Sequence, residues 1–163
     1  MTAWVIRPAT PADRPALDEQ AQALNVFEEP FSHDRRLDLA GGVESVATLL
    51  ERTANGGALL VAEIDGAVVA HMALWFDRMP PFVREELRDY AYLGDLFVRE
   101  AHRGQGIGRA LIAEAERRAI ERGMPRILLG VVHGNVAAER SYRRQGFQDY
   151  ALELVKPLPP RAG

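Results

Sequence analysis

Residues 95–119, DLFVREAHRGQGIGRALIAEAERRA, lead from an apolar, strand-like run through three alternating glycines into a long helical pattern. Gly104, Gly106 and Gly108 stand between Arg103 and Arg109. A helix N-terminus presents unpaired amide N–H groups and the positive end of the helix dipole. Glycines let the backbone curl with its amides inward and let an anion approach with no Cβ in the way. A pyrophosphate is the natural guest of such a loop. Two common phosphate loops do not fit it. A P-loop has Lys-Ser or Lys-Thr after its last glycine, and Arg109-Ala110 follows here. The dinucleotide fingerprint needs a glycine at 109, and the segment lies late in the chain, after an antiparallel hairpin.

Upstream, ALLVAEIDGAVVAHMALWF (58–76) holds two apolar runs around Asp65-Gly66, a hairpin signal for antiparallel strands. WVIRPAT (4–10) reads as a first strand. Thr10, Pro11 and Asp13 form a near capping box for a helix reaching about Phe27. Residues 28–42 read as irregular or weakly helical, and VESVATLLERTA (43–54) as a helix closed by NGG. Residues 77–89 form a charged, Pro-containing excursion before a strand at 90–98. Downstream, Ile107, Leu111, Ala115 and Ala119 share one helical face, ended by Gly123. RILLGVV (126–132) is a buried-type strand, 135–145 a helix stopped by Gly146, and FQDYALELV (147–155) a last strand. The order β-α-α-β-β-β-α-β-α-β implies an α/β fold around a mixed sheet.

Composition bounds the function. A chain of 163 residues fits one domain, which buries roughly 70% of its unfolded surface. With 20 Lys+Arg against 23 Asp+Glu, it is slightly acidic, which argues against a general nucleic-acid binder. There is no cysteine, hence no disulfide framework, thiolate metal site or cysteine nucleophile. No apolar run approaches a membrane span, and MTAWVIRPATPADRP lacks the form of a signal peptide, so a cytoplasmic protein is expected. The four histidines show no metal-ligand spacing, and no metal is expected.

LGDLFVREAHRGQGIGRALI (93–112) resembles the acyl-CoA-binding core of the GNAT superfamily of N-acetyltransferases, with Arg103, Gly106 and Gly108 in the positions of its R/Q-x-x-G-x-G/A signature. NVAAERSYRRQGF (135–147) resembles the family's second element, with Asn135, Tyr142, Gly146 and Phe147. The resemblance covers nearly the whole chain. It implies a single N-acetyltransferase domain over 1–163 with a GNAT-like mixed, mostly antiparallel central sheet flanked by helices on both faces. It also implies an acetyl-CoA site, with backbone N–H groups of Gly104, Gln105, Gly106, Ile107, Gly108 and Arg109 on the pyrophosphate. The strand Leu96, Phe97, Val98 would pair with the pantetheine arm, an amide there polarising the thioester carbonyl. Asn135 would contact the same arm, and Tyr142 would protonate the departing thiolate.

The chemistry is coherent on its own terms. A phenol, with an ordinary pKa near 10, can protonate a thiolate whose thiol titrates near 8.5. Direct attack by an amine on the bound thioester needs no cysteine. For the general base, relatives carry a glutamate before the aspartate of the strand, where this chain has Gly94. Asp95 remains, but simple alternation along a strand turns it away from the thioester. His71 reads as a core histidine, and His133 lies near the expected site. Glu28, Glu29 and His33 lie in the segment that forms the acceptor wall in relatives. Arg143-Arg144 reads as a solvated helix face that could reach the CoA 3′-phosphate.

In the two expected acceptor segments, acids (Glu28, Glu29, Asp34, Asp38, Asp77, Glu85, Glu86, Asp89) outnumber arginines. That favours a small cationic amine as acceptor. Trp75, Phe76, Phe82 and Tyr90 are aromatic residues able to pack an apolar part of it. The alternatives are a protein N-terminal or lysine acetyltransferase and a non-catalytic acyl-CoA-binding regulatory module. The expected partner is a small-molecule amine, with neither nucleic acid nor membrane, and the apolar tail LELVKPLPP (152–160) permits a homodimer.

Overall fold

The structure, a computed structural model, describes residues 3–161. Its strands are β1 (Val5–Pro8), β2 (Ala58–Ile64), β3 (Ala67–Arg78), β4 (Asp89–Val98) and β5 (Ile127–Leu129). Its helices are α1 (Arg14–Ser32), α2 (Leu39–Thr53), α3 (Ile107–Glu121) and α4 (Val136–Arg144). The sheet order is β1-β2-β3-β4-β5, antiparallel except for the parallel β4–β5 pair.

Strand alternation divides the core between two faces. On one, Ile107, Leu111, Ile112, Ala115 and Ala119 of α3 pack on Leu60, Met72, Leu74 and Leu93. On the other, Leu17 and Ala21 of α1 and Val46 and Leu49 of α2 pack on Leu59, Val61 and Ala73. Helices therefore cover both faces of a mostly antiparallel sheet, as expected.

Two features of β4 position the site. Its register against β3 slips: Met72 faces Leu96, yet Leu74 faces Leu93. β4 thus carries one extra residue there, a bulge containing Gly94 and Asp95. The second feature is its outer edge. β5 pairs with Ala91, Tyr92 and Leu93, so among the described residues β4 has no strand on that side from Gly94 to Val98.

Four elements differ from the sequence reading, one being β5, which covers only three of the seven residues expected at 126–132 and is half-buried. α1 runs five residues past Phe27, through Pro30, to a C-cap at His33 in the left-handed conformation. Pro30 lies in the last turn, where losing one amide removes only one helical bond. α2 begins at Leu39, four residues before the expected start, because the Asp38 side chain caps it by accepting from the Gly41 amide at 3.1 Å. Gly41 and Gly42, at the end of the segment read as irregular or weakly helical, are buried inside that helix. The expected last strand is not one: residues 147–155 run without a ladder partner, and Leu152, Leu154 and Val155 are exposed. The open edge of β5 beside them is only three residues long, too short to template a nine-residue strand.

Candidate active site

The cleft begins at the open edge of β4. Beyond Val98 the chain turns through 100–102 and enters the glycine loop. Gly104 and Gly106 take φ of 74° and 89°, a region costly for residues with a Cβ. Gly106 is the N-cap of α3, and its carbonyl accepts from Ala110 at 3.0 Å. Gly108 lies in the first turn, where a Cβ would stand 3.8 Å from Val98 and 4.0 Å from Leu96. The loop is anchored by Arg103, whose Nε donates to the Val98 carbonyl at 3.0 Å and whose guanidinium lies over Phe27. Together they form a shallow, Cβ-free cradle at the start of a helix, adjoining unpaired strand backbone.

This cradle opens into a cleft of about 1610 Å³. Pockets for one drug-sized ligand run to about 300–1,000 Å³, so this cleft is large enough for two substrates. Leu96, Phe97, Val98, Arg103, Gly104, Gly106, Ile107, Gly108, Arg109, Asn135 and Tyr142 all line it. The side chains of Phe97 and Ile107 are buried in the core, which leaves their backbone to face the cleft. Gln105 is the exception among the expected residues. It is exposed, does not line the cleft, and its amide donates back to the Ala101 carbonyl at 3.3 Å. Asn135 is the N-cap of α4, accepting from the Ala138 amide at 3.2 Å.

Tyr142, Asp95 and Glu28 line the same cleft and lie close enough for their charges to act on one another. α4 brings Tyr142 inward, edge-on to Phe147 at 5.9 Å. Burial, then the charges of Glu28 and Asp95, push its phenol up to about 12. The β4 bulge places Asp95 in the cleft, contrary to simple alternation. The register slip puts one extra residue between Leu93 and Leu96, so the odd–even count restarts across it. Burial, then the charge of Glu28, raises the Asp95 carboxyl to about 6, partly offset by Arg35. Glu28 is held by Arg35 Nε at 3.0 Å.

The other candidates fall elsewhere. His71 is fully buried with its Nδ1 2.9 Å from Gln20 Oε1, and Gln20 Nε2 donates to the Val68 carbonyl at 2.9 Å. Burial alone lowers its pKa to about 4, so it is a neutral core residue. His133 is exposed and does not line the cleft. Glu29 accepts from the Arg35 amide at 2.6 Å, and His33 caps α1. Arg144 lines the cleft, whereas Arg143 is engaged with Glu139 and Asp149. Trp75 and Tyr90 line it too, Phe82 is 86% exposed, and Phe76 lies beneath Arg122.

The sequence reading missed Arg52 and Tyr92. Nothing local marks Arg52, because it reaches the cleft only when the end of α2 packs over β3. Among the described residues, no group of three His, Asp or Glu side chains is placed to hold a metal ion, and no helix is long and apolar enough to cross a membrane.

Against known proteins, residues 18–147 match the model of the acetyltransferase (GNAT) family. A stretch of 86 residues, 53% of this chain and 36% of the relative, is 30% identical to the L-ornithine N5-acetyltransferase NATA1 of Arabidopsis thaliana. The curated relatives that it matches are spanned over only 31 to 45% of their own length. A GCN5-related N-acetyltransferase from Ralstonia eutropha JMP134 has a similar structure, with a TM-score of 0.72 and 27% identity over 96% of this chain and 99% of that one. A protein from Clostridium acetobutylicum, described as a predicted acetyltransferase solved with acetyl-CoA, shares the fold at a TM-score of 0.72 and 21% identity over 94% and 96%.

Proposed function

The chain belongs to the acetyltransferase (GNAT) family, and on that premise we propose that it moves an acetyl group from acetyl-CoA to the primary amine of a small cationic acceptor within one ternary complex. The observation that carries this reading is the meeting of Asp95 and Tyr142 in one cleft beside an open strand edge and a Cβ-free glycine cradle. The cradle suits a pyrophosphate, and the unpaired β4 edge suits an amide-bearing arm laid along it as an added strand. The residues present thus fit acetyl-CoA, with Arg109, Arg144 and the amides of 104–109 on its phosphates and Asn135 on the arm.

The cosubstrate supplies an activated thioester. Asp95 accepts a proton from the entering ammonium, leaving a neutral amine to attack the thioester carbonyl. A β4 amide stabilises the charge that develops on the carbonyl oxygen, a contribution of about 3–4 kcal/mol where such donors have been removed elsewhere. As the C–N bond forms and the C–S bond breaks, Tyr142 donates its proton to the departing sulfur. The second amine proton returns Tyr142 to its phenol form through solvent, and Asp95 releases the first proton to solvent. The negative charges of Glu28 and Asp95 favour a cationic acceptor, and a half-buried phenol in the cleft favours catalysis over a purely regulatory module. The same reading takes 1–163 as one cytoplasmic N-acetyltransferase domain that forms a homodimer.

The first test is thermal unfolding with saturating acetyl-CoA, and with NADH and ATP as controls. At about 100 times Kd a ligand contributes roughly 2.7 kcal/mol, which raises Tm by about 5–10 °C for a chain of this size. An amine panel then follows thiol release, free of background because the chain has no cysteine. No shift with acetyl-CoA, or a larger one with ATP or NADH, refutes the donor assignment. A normal shift without turnover of any amine refutes the catalytic one.

A further inference from the structure

The closed end of the open strand edge carries a side chain that the chemistry above does not use. The last rung between β4 and β5 joins Leu93 to Leu129, and beyond it the two strands part. Tyr92, opposite Leu128, stands one rung further back and is half-buried. Its hydroxyl nevertheless reaches past the last rung. A Cβ on Gly130 would stand 3.2 Å from that oxygen, tighter than ordinary van der Waals contact. Tyr92 and Gly130 both line the cleft. The ring is not free to swing away. Trp75 stacks on it, with centroids 4.8 Å apart and planes 25° from parallel. Arg52, in the last turn of α2, holds the stack, its guanidinium carbon 5.2 Å from the Trp75 centroid. Trp75 is also wedged against Gly94, where a Cβ would stand 2.4 Å from its Cζ3.

We propose that Tyr92 closes the acyl slot, so that its phenol sets the chain length of the group transferred and restricts the donor to acetyl-CoA and its shortest homologues. This rests on the acetyl-CoA reading of the cleft and adds donor selectivity to it.

The lengths agree. A Cβ on Gly108 would stand 3.8 Å from Val98, so the phosphate cradle adjoins one end of the open edge. From Val98 back to Gly94 is about four strand steps, roughly 13 Å. The arm of CoA between phosphate and sulfur has about twelve bonds, the extended length of about four residues, or ~13–14 Å. An arm laid along the edge from the cradle therefore brings its sulfur to Gly94 and the acyl group to the fork between the strands. The fork is closed on three sides. Behind it is the Leu93–Leu129 rung, where paired strands lie only about 4.8 Å apart. On one face Leu93 and Leu129 join the core under α3, and on the other Tyr92 lies across the gap to Gly130. An acetyl group stops in front of the phenol. Each further methylene runs on into space that the clamped ring already fills, and overfilling a close-packed site is unfavourable. Gly94 therefore has a second consequence. The missing side chain withholds a carboxylate from the strand and also admits Trp75, which holds Tyr92 in place.

The test measures Kd by calorimetry for acetyl-, propionyl-, butyryl- and hexanoyl-CoA, each divided by the Kd of free CoA so that general damage to the site cancels. In the native chain butyryl-CoA should bind at least about 10-fold more weakly than acetyl-CoA, and hexanoyl-CoA more weakly still. Tyr92→Phe, which removes only the oxygen beside Gly130, should restore part of the butyryl affinity, and Tyr92→Ala nearly all of it. Gly130→Ala should act in the opposite direction, pushing the hydroxyl into the slot and weakening propionyl-CoA as well. Tyr92→Phe and Gly130→Ala are small changes, so the comparison stands even where Tyr92→Ala does not fold. Equal affinity of the native chain for acetyl- and butyryl-CoA, or an order that Tyr92→Phe and Gly130→Ala both leave untouched, would overturn the proposal while leaving the acetyltransferase reading intact. If neither CoA nor any of its thioesters binds, both fall together.

Discussion

At the scale of single residues, Asp95 and Tyr142 have opposed demands that environment can meet. Asp95 must be ionised to take a proton, and Tyr142 must be protonated to give one. With its carboxyl raised to about 6, Asp95 is ionised at neutral pH, while a phenol near 12 stays protonated. The kcat/KM profile should accordingly rise with pH through about 6. Tyr142→Phe should lower kcat by roughly 10²–10³ with acetyl-CoA binding retained, as loss of a general acid does. Asp95 also costs stability. Folding favours its protonated form, so its contribution is fully present below the usual value near 3.8 and is lost as pH rises through 6. Asp95→Asn should then stabilise the fold at pH 7.5 by about 1–3 kcal/mol, discounted for partial exposure, with the gain vanishing near pH 4. It should also abolish most turnover. Urea melts at the two pH values check the first effect; an equally stable or weaker variant at pH 7.5 would mean that burial does not strain the carboxylate.

At the scale of elements, local patterns and packing carry different information. The glycine loop, the Asp65-Gly66 hairpin and the face of α3 were legible because each is set by neighbours within a few residues. Asp95 was misjudged because a bulge is decided by pairing across strands: the slip needs both Leu74–Leu93 and Met72–Leu96, and neither strand alone shows it. α2 was started late because residues 28–42, which end in Gly41-Gly42, carry no clear helical periodicity. In the fold, α1 and α2 approach so closely that a Cβ at Gly42 would stand 2.4 Å from the Asp18 carbonyl oxygen. Gly42→Ala should therefore destabilise the chain by about 1–3 kcal/mol despite alanine's better helix propensity. Urea unfolding with an unchanged m-value checks it. A neutral or stabilising alanine would show that the helices can part at no cost.

At the scale of the whole molecule, the sheet ends poorly finished. β5 is three residues long, and beside it the chain runs out through Tyr150, Leu152 and Leu154, 60%, 80% and 88% exposed. Their alternate spacing is that of one face of a strand, and Tyr150 is tethered where it lies near the Arg126 guanidinium. An exposed apolar segment with a strand-like alternation and no partner of its own is suited to burial against another chain, and this supports the second copy in the proposed homodimer. Light scattering should give twice 18.1 kDa for the native chain, and about the single-chain mass for the Leu152→Ser, Leu154→Ser double variant. A monomeric native chain would leave the tail without that role.

The early parting of β4 and β5 has one more consequence. From Gly94 to Val98 the sheet lacks the neighbour that would shield its outward amides. These amides sit beside core residues such as Phe97, only 7% exposed, yet they face the cleft and its water. In deuterium they should exchange far faster than their depth suggests, and slow sharply once acetyl-CoA lies along them. The cosubstrate would then complete the fold, and its departure each cycle would briefly undo one edge of it.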